Sequence, residues 1–217
     1  MEPPFWIERW RNNQIGFHQK DTNPFLIRHL NKLQRNHPKK ILIPLCGKTL
    51  DISYLLEQGF QVIGVELSDK AVGQLFDQIG QSPQITDVSK TNNTPIIRQQ
   101  IDGLTIFHAN IFDLTADEIG NVDAIYDRAA LVALPAEMRK RYTQHLLQLT
   151  GPVPQLLLTF EYDQTQIDGP PFSISTSEIE NHYQRSYTIK KLESVPLEPG
   201  IKGKVKATEN VWLLEPK

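Results

Sequence analysis

The sequence predicts an α/β fold, in which helices cover both faces of a mostly parallel sheet. Apolar runs of strand length alternate with amphipathic helical patterns along the 217 residues. The first run, residues 41–46, has no polar alternation, which is typical of a strand buried on both faces of a parallel sheet. Gly47 follows this run and Glu66 closes the next one. Both residues therefore lie at the sheet edge where open α/β folds bind ligands.

The elements around these two residues follow from capping signals and periodicity. Thr49 is the predicted N-cap of a helix that Gly59 ends. Residues 62–66 form the second strand, and Ser68 or Asp69 caps the helix after it. This order is a strand, a glycine turn, a helix and a second strand that ends on a carboxylate.

The rest of the chain continues the same alternation. Residues 80–94 are polar and predict an exposed loop, whereas Asp102-Gly103 predicts a tight hairpin turn within residues 96–107. The later predicted elements are a strand at 122–127, a helix at 136–149, a strand at 155–162, a helix from Thr176 or Ser177, and a final hairpin with strands at 187–194 and 209–214.

Composition excludes several classes of protein. A net charge of −2 gives no basic footprint for nucleic acid. The single cysteine, Cys46, excludes an internal disulfide and suits a reducing cytosol. No apolar stretch approaches membrane-spanning length, and the first residues lack a signal-peptide pattern. The histidines are scattered without zinc-ligand spacing. We therefore expect a cytoplasmic protein with no membrane, nucleic-acid or metal partner.

The glycine turn and the carboxylate discriminate between nucleotide ligands. A phosphate-binding P-loop needs a glycine where this chain has Leu42, so that interpretation fails. Dinucleotide folds carry three glycines in this turn, and only Gly47 is present. S-adenosylmethionine fits better, because its ribose diol suits Glu66 and its amino-acid tail suits the backbone near Leu45 and Gly47. This ligand has no phosphate chain to bind.

Several segments of the chain, in order, resemble one enzyme family. The chain is similar to the bacterial thiopurine S-methyltransferases, which are class I S-adenosylmethionine-dependent enzymes. The matching segments are Phe5-Trp-Ile-Glu-Arg-Trp10, Ile15-Gly-Phe-His18, Pro44-Leu-Cys-Gly-Lys48, Val62-Ile-Gly-Val-Glu-Leu-Ser68, Asn110-Ile-Phe-Asp113, Tyr126-Asp-Arg-Ala-Ala-Leu-Val-Ala133 and Gly169-Pro-Pro-Phe172.

The resemblance implies a more specific architecture than periodicity does. It implies a Rossmann-like class I methyltransferase fold, whose seven-stranded, mostly parallel sheet has the order 3-2-1-4-5-7-6 and an antiparallel last strand. Residues 1–217 would then form a single methyltransferase domain. Residues 1–38 would be an N-terminal helical lid segment, and residues 39–217 would be the Rossmann-like core.

The resemblance also implies which residues form the site. Those expected to bind S-adenosylmethionine are Trp6, Trp10, Leu45, Gly47, Glu66, Asn110, Ile111 and Arg128. Those expected to bind the acceptor are Phe17, Arg128 and Phe172. No catalytic side chain is expected, because the sulfonium is already an activated methyl donor and alignment in a dry pocket is the main requirement.

Each of these assignments has a purely structural alternative. The aromatic residues Trp6 and Trp10 lie on one helix face and could serve only to dock that helix. Asn110 could be a helix cap, and Asp127-Arg128 could be a weak surface ion pair. The Gly169-Pro-Pro-Phe172 segment could be no more than a rigid turn.

The implied activity is transfer of a methyl group from S-adenosylmethionine to the sulfur of thiopurines or other aromatic or heterocyclic thiols. The expected partner is a small-molecule aromatic thiol, and the expected state is a monomer. Two alternatives remain open at this point. One is a methyltransferase of the same fold that acts on small anions or on selenium or tellurium species. The other is a noncatalytic S-adenosylmethionine-binding protein.

Overall fold

The computed structural model describes residues 3–33, 40–90 and 95–217. The chain divides into two compact units, an amino-terminal unit of residues 2–124 and a carboxy-terminal unit of residues 125–217. Within the described ranges nine strands form a mixed sheet, so the fold is of the α/β class. No helix in these ranges is long and apolar enough to cross a membrane.

The amino-terminal unit holds most of the helices. Its helices are α1 (Pro3–Arg11), α2 (Pro24–Leu33), α3 (Asp51–Glu57), α4 (Asp69–Ile79) and α5 (Ala116–Ile119), and a short 3-10 helix covers Ile111–Asp113. Its strands are β1 (Lys40–Pro44), β2 (Gln61–Glu66), β3 (Gln84–Asp87), β4 (Ile97–Ile101) and β5 (Leu104–His108).

The strand order in this unit is β3-β4-β5-β2-β1. Strands β1 and β2 are parallel, with Pro44 opposite Val65, and β2 and β5 are parallel, with Glu66 opposite His108. Since parallel strands end at the same edge, the turn after β1 lies beside the end of β2. The strands β4 and β5 form the hairpin predicted around Asp102-Gly103, which is confirmed.

The carboxy-terminal unit contains fewer and longer elements. They are β6 (Ala124–Asp127), α6 (Ala136–Thr150), β7 (Gln155–Tyr162), α7 (Thr176–Tyr183), β8 (Tyr187–Ile201) and β9 (Val205–Pro216), and short 3-10 helices cover Leu131–Ala133 and Gln164–Gln166. The strand order is β6-β7-β9-β8, with β6 and β7 parallel and β9 antiparallel to both of its neighbours. The core of this unit includes the fully buried rings of Tyr126 and Tyr142.

The described residues form nine strands, not the seven expected, because β3 and β4 add an antiparallel pair beside β5. The other strands run β5-β2-β1 in one unit and β6-β7-β9-β8 in the other, which match the 3-2-1 and 4-5-7-6 parts of the expected order 3-2-1-4-5-7-6. The predicted loop at 80–94 contains β3, which pairs antiparallel with β4. This strand was missed because it is at the edge of the sheet and its side chains face solvent, with Ile85 64% exposed. Residues 91–94 of that loop lie outside the described residues, as do residues 34–39 at the expected lid boundary.

Two other boundaries also differ from the predictions. Thr49 is not the N-cap of α3, since that helix begins at Asp51 after Leu50, and the Thr49 hydroxyl accepts the Asp51 N–H at 3.3 Å. The final hairpin is longer than predicted. Strand β8 is largely exposed and contains register shifts, so the sequence shows no regular alternation of apolar and polar residues along its whole length. Ser68 does cap α4, and its hydroxyl accepts the Ala71 N–H at 3.2 Å.

Candidate active site

The turn after β1 has an unusual backbone conformation. Leu45 has a φ of 49° and Gly47 a φ of 55°, both in the left-handed region. Glycine adopts this region freely, whereas it costs a residue such as Leu45 about 1–2 kcal/mol. The Cys46 N–H donates to the Val65 carbonyl at 2.9 Å and so fixes the turn against β2. Backbone strain of this kind clusters at binding sites.

The Glu66 carboxylate joins this turn to the end of β2. One oxygen, Oε2, accepts the Gly47 N–H at 2.8 Å, and Oε1 accepts the Ser68 N–H at 2.7 Å. The side chain is only 6% exposed. A carboxylate can accept about four hydrogen bonds, so these two leave capacity for hydroxyl donors of a ligand. The glycine turn and the carboxylate predicted from the sequence are therefore in direct contact.

Burial governs the ionisation of Glu66 and of the neighbouring Cys46. It raises the pKa of Glu66, although the N–H groups of Ser68, Gly47 and Leu67 partly oppose this by favouring the carboxylate. It also raises the pKa of the Cys46 thiol well above its ordinary value, and the nearby Glu66 charge adds to the shift. Cys46 is therefore a protonated, buried thiol and a poor nucleophile.

An aromatic cluster from the first residues of the chain packs on this turn. The Trp10 ring is 3% exposed and so close to Gly47 that a Cβ there would lie 2.9 Å from Trp10 Cζ2. The Phe17 ring contacts Trp10 and Trp6 edge-to-face, with centroids 5.5 and 5.8 Å apart. The Trp6 indole Nε1 is buried without a hydrogen-bond partner among the described residues. The predicted residues Trp6, Trp10 and Phe17 are thus brought together.

Helix α1 is also held at its C-terminal end. The Lys70 ammonium, on α4, donates to the Arg11 carbonyl at 3.2 Å and to Asn13 Oδ1 at 2.9 Å. A cation at this end of a helix is favourable because the last carbonyls lack intrahelical donors. No local sequence pattern predicts this role of Lys70, since 59 residues separate it from Arg11.

Asn110 and Ile111 follow β5, the strand beside β2. The Ala109 N–H donates to the Glu66 carbonyl at 3.0 Å, which fixes the chain just before Asn110. The Asn110 side chain caps the 3-10 helix by accepting the Phe112 N–H at 3.2 Å. Ile111 is buried. Asn110 therefore does cap a helix, as the structural alternative proposed. That Asn110 also contacts a ligand stays a prediction.

Arg128 lies in the carboxy-terminal unit, directly after β6. Its neighbour Asp127 is completely buried and accepts from the Tyr142 hydroxyl at 2.8 Å and the Leu131 N–H at 3.1 Å. The alternative of an Asp127–Arg128 surface ion pair is therefore wrong. Burial raises the pKa of Glu209 on β9, and the charge of Arg128 partly opposes that shift.

Phe172, in the same unit, is half-buried at the end of the proline-rich loop. Its N–H donates to the Val132 carbonyl at 2.6 Å, and the Tyr162 hydroxyl donates to the Pro171 carbonyl at 2.6 Å. The Arg139 guanidinium lies 5.7 Å from the centre of its ring. Sequence reasoning identified Phe172 but missed Arg139, for which no local pattern gave a signal.

The described residues contain no group of three or more His, Cys, Asp or Glu side chains placed to hold a metal ion. The chemistry that this geometry offers is binding and alignment. Its strongest feature is a desolvated carboxylate beside a backbone turn and an aromatic cover, all within the amino-terminal unit.

Comparison with known proteins identifies the family. The family model for thiopurine S-methyltransferase matches residues 1–217. A thiopurine S-methyltransferase from Xanthobacter autotrophicus is 46% identical over 216 residues, which are 99% of each chain. One from Gluconobacter oxydans is 45% identical over 212 residues, covering 98% of this chain and 94% of the relative. The chain belongs to the thiopurine S-methyltransferase family.

Solved structures agree on the fold of this thiopurine S-methyltransferase family member. A Burkholderia thailandensis 1,6-didemethyltoxoflavin-N1-methyltransferase, solved with S-adenosylhomocysteine, has a TM-score of 0.61 at 14% identity over 99% of this chain and 87% of its own. A methyltransferase from Anabaena variabilis has a TM-score of 0.62 at 14% identity over 99% and 95%. Family membership confirms the resemblance and makes the chain an S-adenosylmethionine-dependent methyltransferase.

Proposed function

We propose that this enzyme transfers a methyl group from S-adenosylmethionine to the sulfur of thiopurines or of other aromatic and heterocyclic thiols. The relatives named above support the choice of acceptor, since each is a thiopurine S-methyltransferase. The main observation that supports a donor site here is the hydrogen bond from the Gly47 N–H to the Glu66 carboxylate. S-adenosylhomocysteine is the second product.

Donor binding is proposed to use residues of the amino-terminal unit. The remaining acceptor capacity of Glu66 suits the two ribose hydroxyls, since charge-assisted hydrogen bonds are the stronger kind. The strained backbone from Leu45 to Gly47 is proposed to bind the amino-acid tail of the donor. The proposed cover is the aromatic cluster of Trp6 and Trp10, whose ring faces attract cations such as a sulfonium.

Asn110, Ile111 and Arg128 complete the proposed donor set, and the proposed acceptor residues are Phe17, Arg128 and Phe172. An aromatic thiolate is planar and carries negative charge, so a guanidinium at Arg128 suits the charge and the aromatic rings suit the plane. The acceptor is a small molecule, and we propose a monomeric, cytoplasmic enzyme.

The transfer itself needs little covalent help from the protein. The thiol first loses its proton to bulk water, before it enters the dry pocket, and aromatic thiols release this proton readily. Its sulfur then attacks the methyl carbon in line, a new carbon–sulfur bond forms, and the old bond to the sulfonium breaks with its electron pair left on S-adenosylhomocysteine. The protein contributes by holding both reactants in line and excluding water. The protonated thiol of Cys46 takes no part.

A panel of acceptors tests this proposal. Purified protein is incubated with S-adenosylmethionine and, separately, 6-mercaptopurine, iodide, selenite or hypoxanthine, and the methylated product and S-adenosylhomocysteine are both measured. We expect equal amounts of S-methylated 6-mercaptopurine and S-adenosylhomocysteine, and no reaction with hypoxanthine, which lacks the sulfur. Turnover with iodide or selenite alone would assign a small-anion methyltransferase. Tight donor binding with no methylation of any acceptor would assign a noncatalytic binding protein.

A further inference from the structure

Phe172 is held in place by contacts on several sides within its own unit. Its backbone N–H is bound to the Val132 carbonyl, at 2.6 Å. Its ring packs so closely on Gly169 that no Cβ fits there. The ring also faces the Arg139 guanidinium at 5.7 Å, within the range of a cation–π contact. The loop from Gly169 to Phe172 therefore depends on a charged side chain from α6.

Arg139 is itself fixed by three hydrogen bonds. Its Nε and a terminal nitrogen donate to the two carboxylate oxygens of Glu178, at 2.6 and 3.0 Å. Its other terminal nitrogen donates to the Leu134 carbonyl at 2.8 Å. The side chain is buried, with 7% exposed. Arg139 thus joins three segments, namely the chain that follows Arg128, the loop that carries Phe172, and helix α7.

A buried ion pair of this kind is a poor explanation of stability alone. Desolvation of both charges commonly cancels their attraction, and apolar replacements are often equally stable. The guanidinium is a rigid plane whose N–H donors point in fixed directions, like a fork. Its bonds therefore fix the orientation of the bonded groups as well as their distance. Burial opposes the charge on Glu178, but hydrogen bonds from His182 and Arg139 hold its pKa below the ordinary value. The carboxylate partner of the fork therefore stays ionised.

We infer that Arg139 is a positioning residue for the acceptor, which acts by fixing the Phe172 ring and the segment ending at Leu134. The inference rests on the proposed function, because it takes Phe172 as part of the acceptor wall. It extends that function to a substrate class. A fixed flat wall favours planar heterocyclic thiols, whereas a small flexible thiol gains little from it.

The first test compares two opposite exchanges at neighbouring positions of α6. Arg139→Lys keeps the charge but removes the fork, whereas Lys140→Arg makes the reverse exchange at an exposed position. We expect Arg139→Lys to lower kcat/KM for 6-mercaptopurine by about 10- to 100-fold, because a small misplacement of a reactant is costly. We expect the KM for S-adenosylmethionine and the kcat/KM for 2-mercaptoethanol to keep their wild-type values. Lys140→Arg should change none of these.

The inference is overturned if Arg139→Lys leaves kcat/KM for 6-mercaptopurine unchanged, or if it affects the planar and the small thiol equally. A double-mutant cycle with Phe172→Leu gives a second reading. If Arg139 acts through Phe172, the two losses in kcat/KM will be far from additive, whereas Lys140→Arg and Phe172→Leu will add. Additive losses for Arg139→Lys and Phe172→Leu would also overturn it. Glu178→Gln, which weakens the fork from the other side, replaces Arg139→Lys if that variant does not fold.

A binding measurement separates this inference from the proposed function. The dissociation constant of 6-mercaptopurine is measured by calorimetry with S-adenosylhomocysteine present, so no turnover is needed. If the wild type binds 6-mercaptopurine without methylating it, the proposed function fails, and weaker binding by Arg139→Lys still supports the positioning role. Equal binding by wild type and Arg139→Lys contradicts that role whether or not the enzyme is active.

Discussion

At the scale of single residues, Glu66 and Gly47 depend on each other. Burial raises the pKa of Glu66, backbone N–H donors oppose this by favouring the carboxylate, and the turn at Gly47 supplies one of these donors. Gly47 in turn has to be glycine for two separate reasons, its positive φ and the closeness of the Trp10 ring. The two reasons can be separated by experiment, because Gly59 shares only the first. Gly59 has a φ of 83°, and a Cβ at this position would meet nothing within 4 Å.

Gly47→Ala and Gly59→Ala are therefore a matched pair. Both variants force an alanine into the left-handed region, and this strain alone should lower the free energy of unfolding of each by about 1–2 kcal/mol. Only Gly47→Ala displaces the Trp10 ring, so only this variant should weaken S-adenosylhomocysteine binding and change the tryptophan fluorescence. Calorimetry, fluorescence and denaturant titration measure the three effects. Equal donor affinity in the two variants would show that the packing of Trp10 on Gly47 has no role in binding.

At the scale of elements, Asp127 connects β6 to the helix that follows it. Its carboxylate accepts hydrogen bonds from the Tyr142 hydroxyl of α6 and from the Leu131 N–H. Ala129, which lies between Asp127 and Leu131 in the chain, has a positive φ of 63°. Burial raises the pKa of Asp127 from 3.8 to about 6, although these hydrogen bonds favour the charged form. The segment that carries Arg128 is thus fixed by an acid that binds its proton more tightly in the folded chain.

This shift predicts how stability changes with pH. Because the folded pKa is raised, the native state holds the proton between pH 3.8 and about 6 while the unfolded state has lost it. The contribution of Asp127 to stability is therefore present below that window and falls as pH rises through it, by about 3 kcal/mol in total. Above the window it no longer changes.

Asp127→Asn removes this titration while keeping a side-chain oxygen for the Leu131 N–H. We expect the stability difference, variant minus wild type, to rise in favour of the variant between pH 4 and pH 7, and to be flat from pH 7 to pH 8. Urea unfolding at each pH measures it. A difference that is constant from pH 4 to pH 7 would show that Asp127 has the same pKa in both states.

At the scale of the whole molecule, the sequence predicts those features that arise from parallel strands next to each other or from local turn signals. Glu66 and Gly47 could be placed together because β1 and β2 end at one edge, and the tight turn at Asp102-Gly103 is a local signal. Strand β3 could not be predicted, since an exposed edge strand shows no hydrophobic pattern. The bond between Arg139 and Glu178 spans 39 residues and exists only once α6 packs on α7.

Ligand binding to the folded state gives a prediction for the whole chain. S-adenosylhomocysteine at 100 times its Kd should raise the free energy of unfolding by about 2.7 kcal/mol. For a protein of this size, that corresponds to a rise of roughly 5–10 °C in Tm. ATP and NAD at the same concentration should give no shift, because the turn at Gly47 lacks the glycines that bind phosphate.

The stability gain with S-adenosylhomocysteine also tests the role of Glu66, with an exposed glutamate as the control. Glu66→Gln loses charge-assisted bonds to the ribose, worth roughly 1.5–3 kcal/mol, so Kd should rise about 10- to 100-fold. At the ligand concentration used for the wild type, its gain in unfolding free energy should then be about half of the wild-type gain or less. Glu57→Gln, at the exposed end of α3, should keep the full shift. A full shift in Glu66→Gln would mean that the carboxylate binds only the protein backbone, and that the ribose is recognised by other residues.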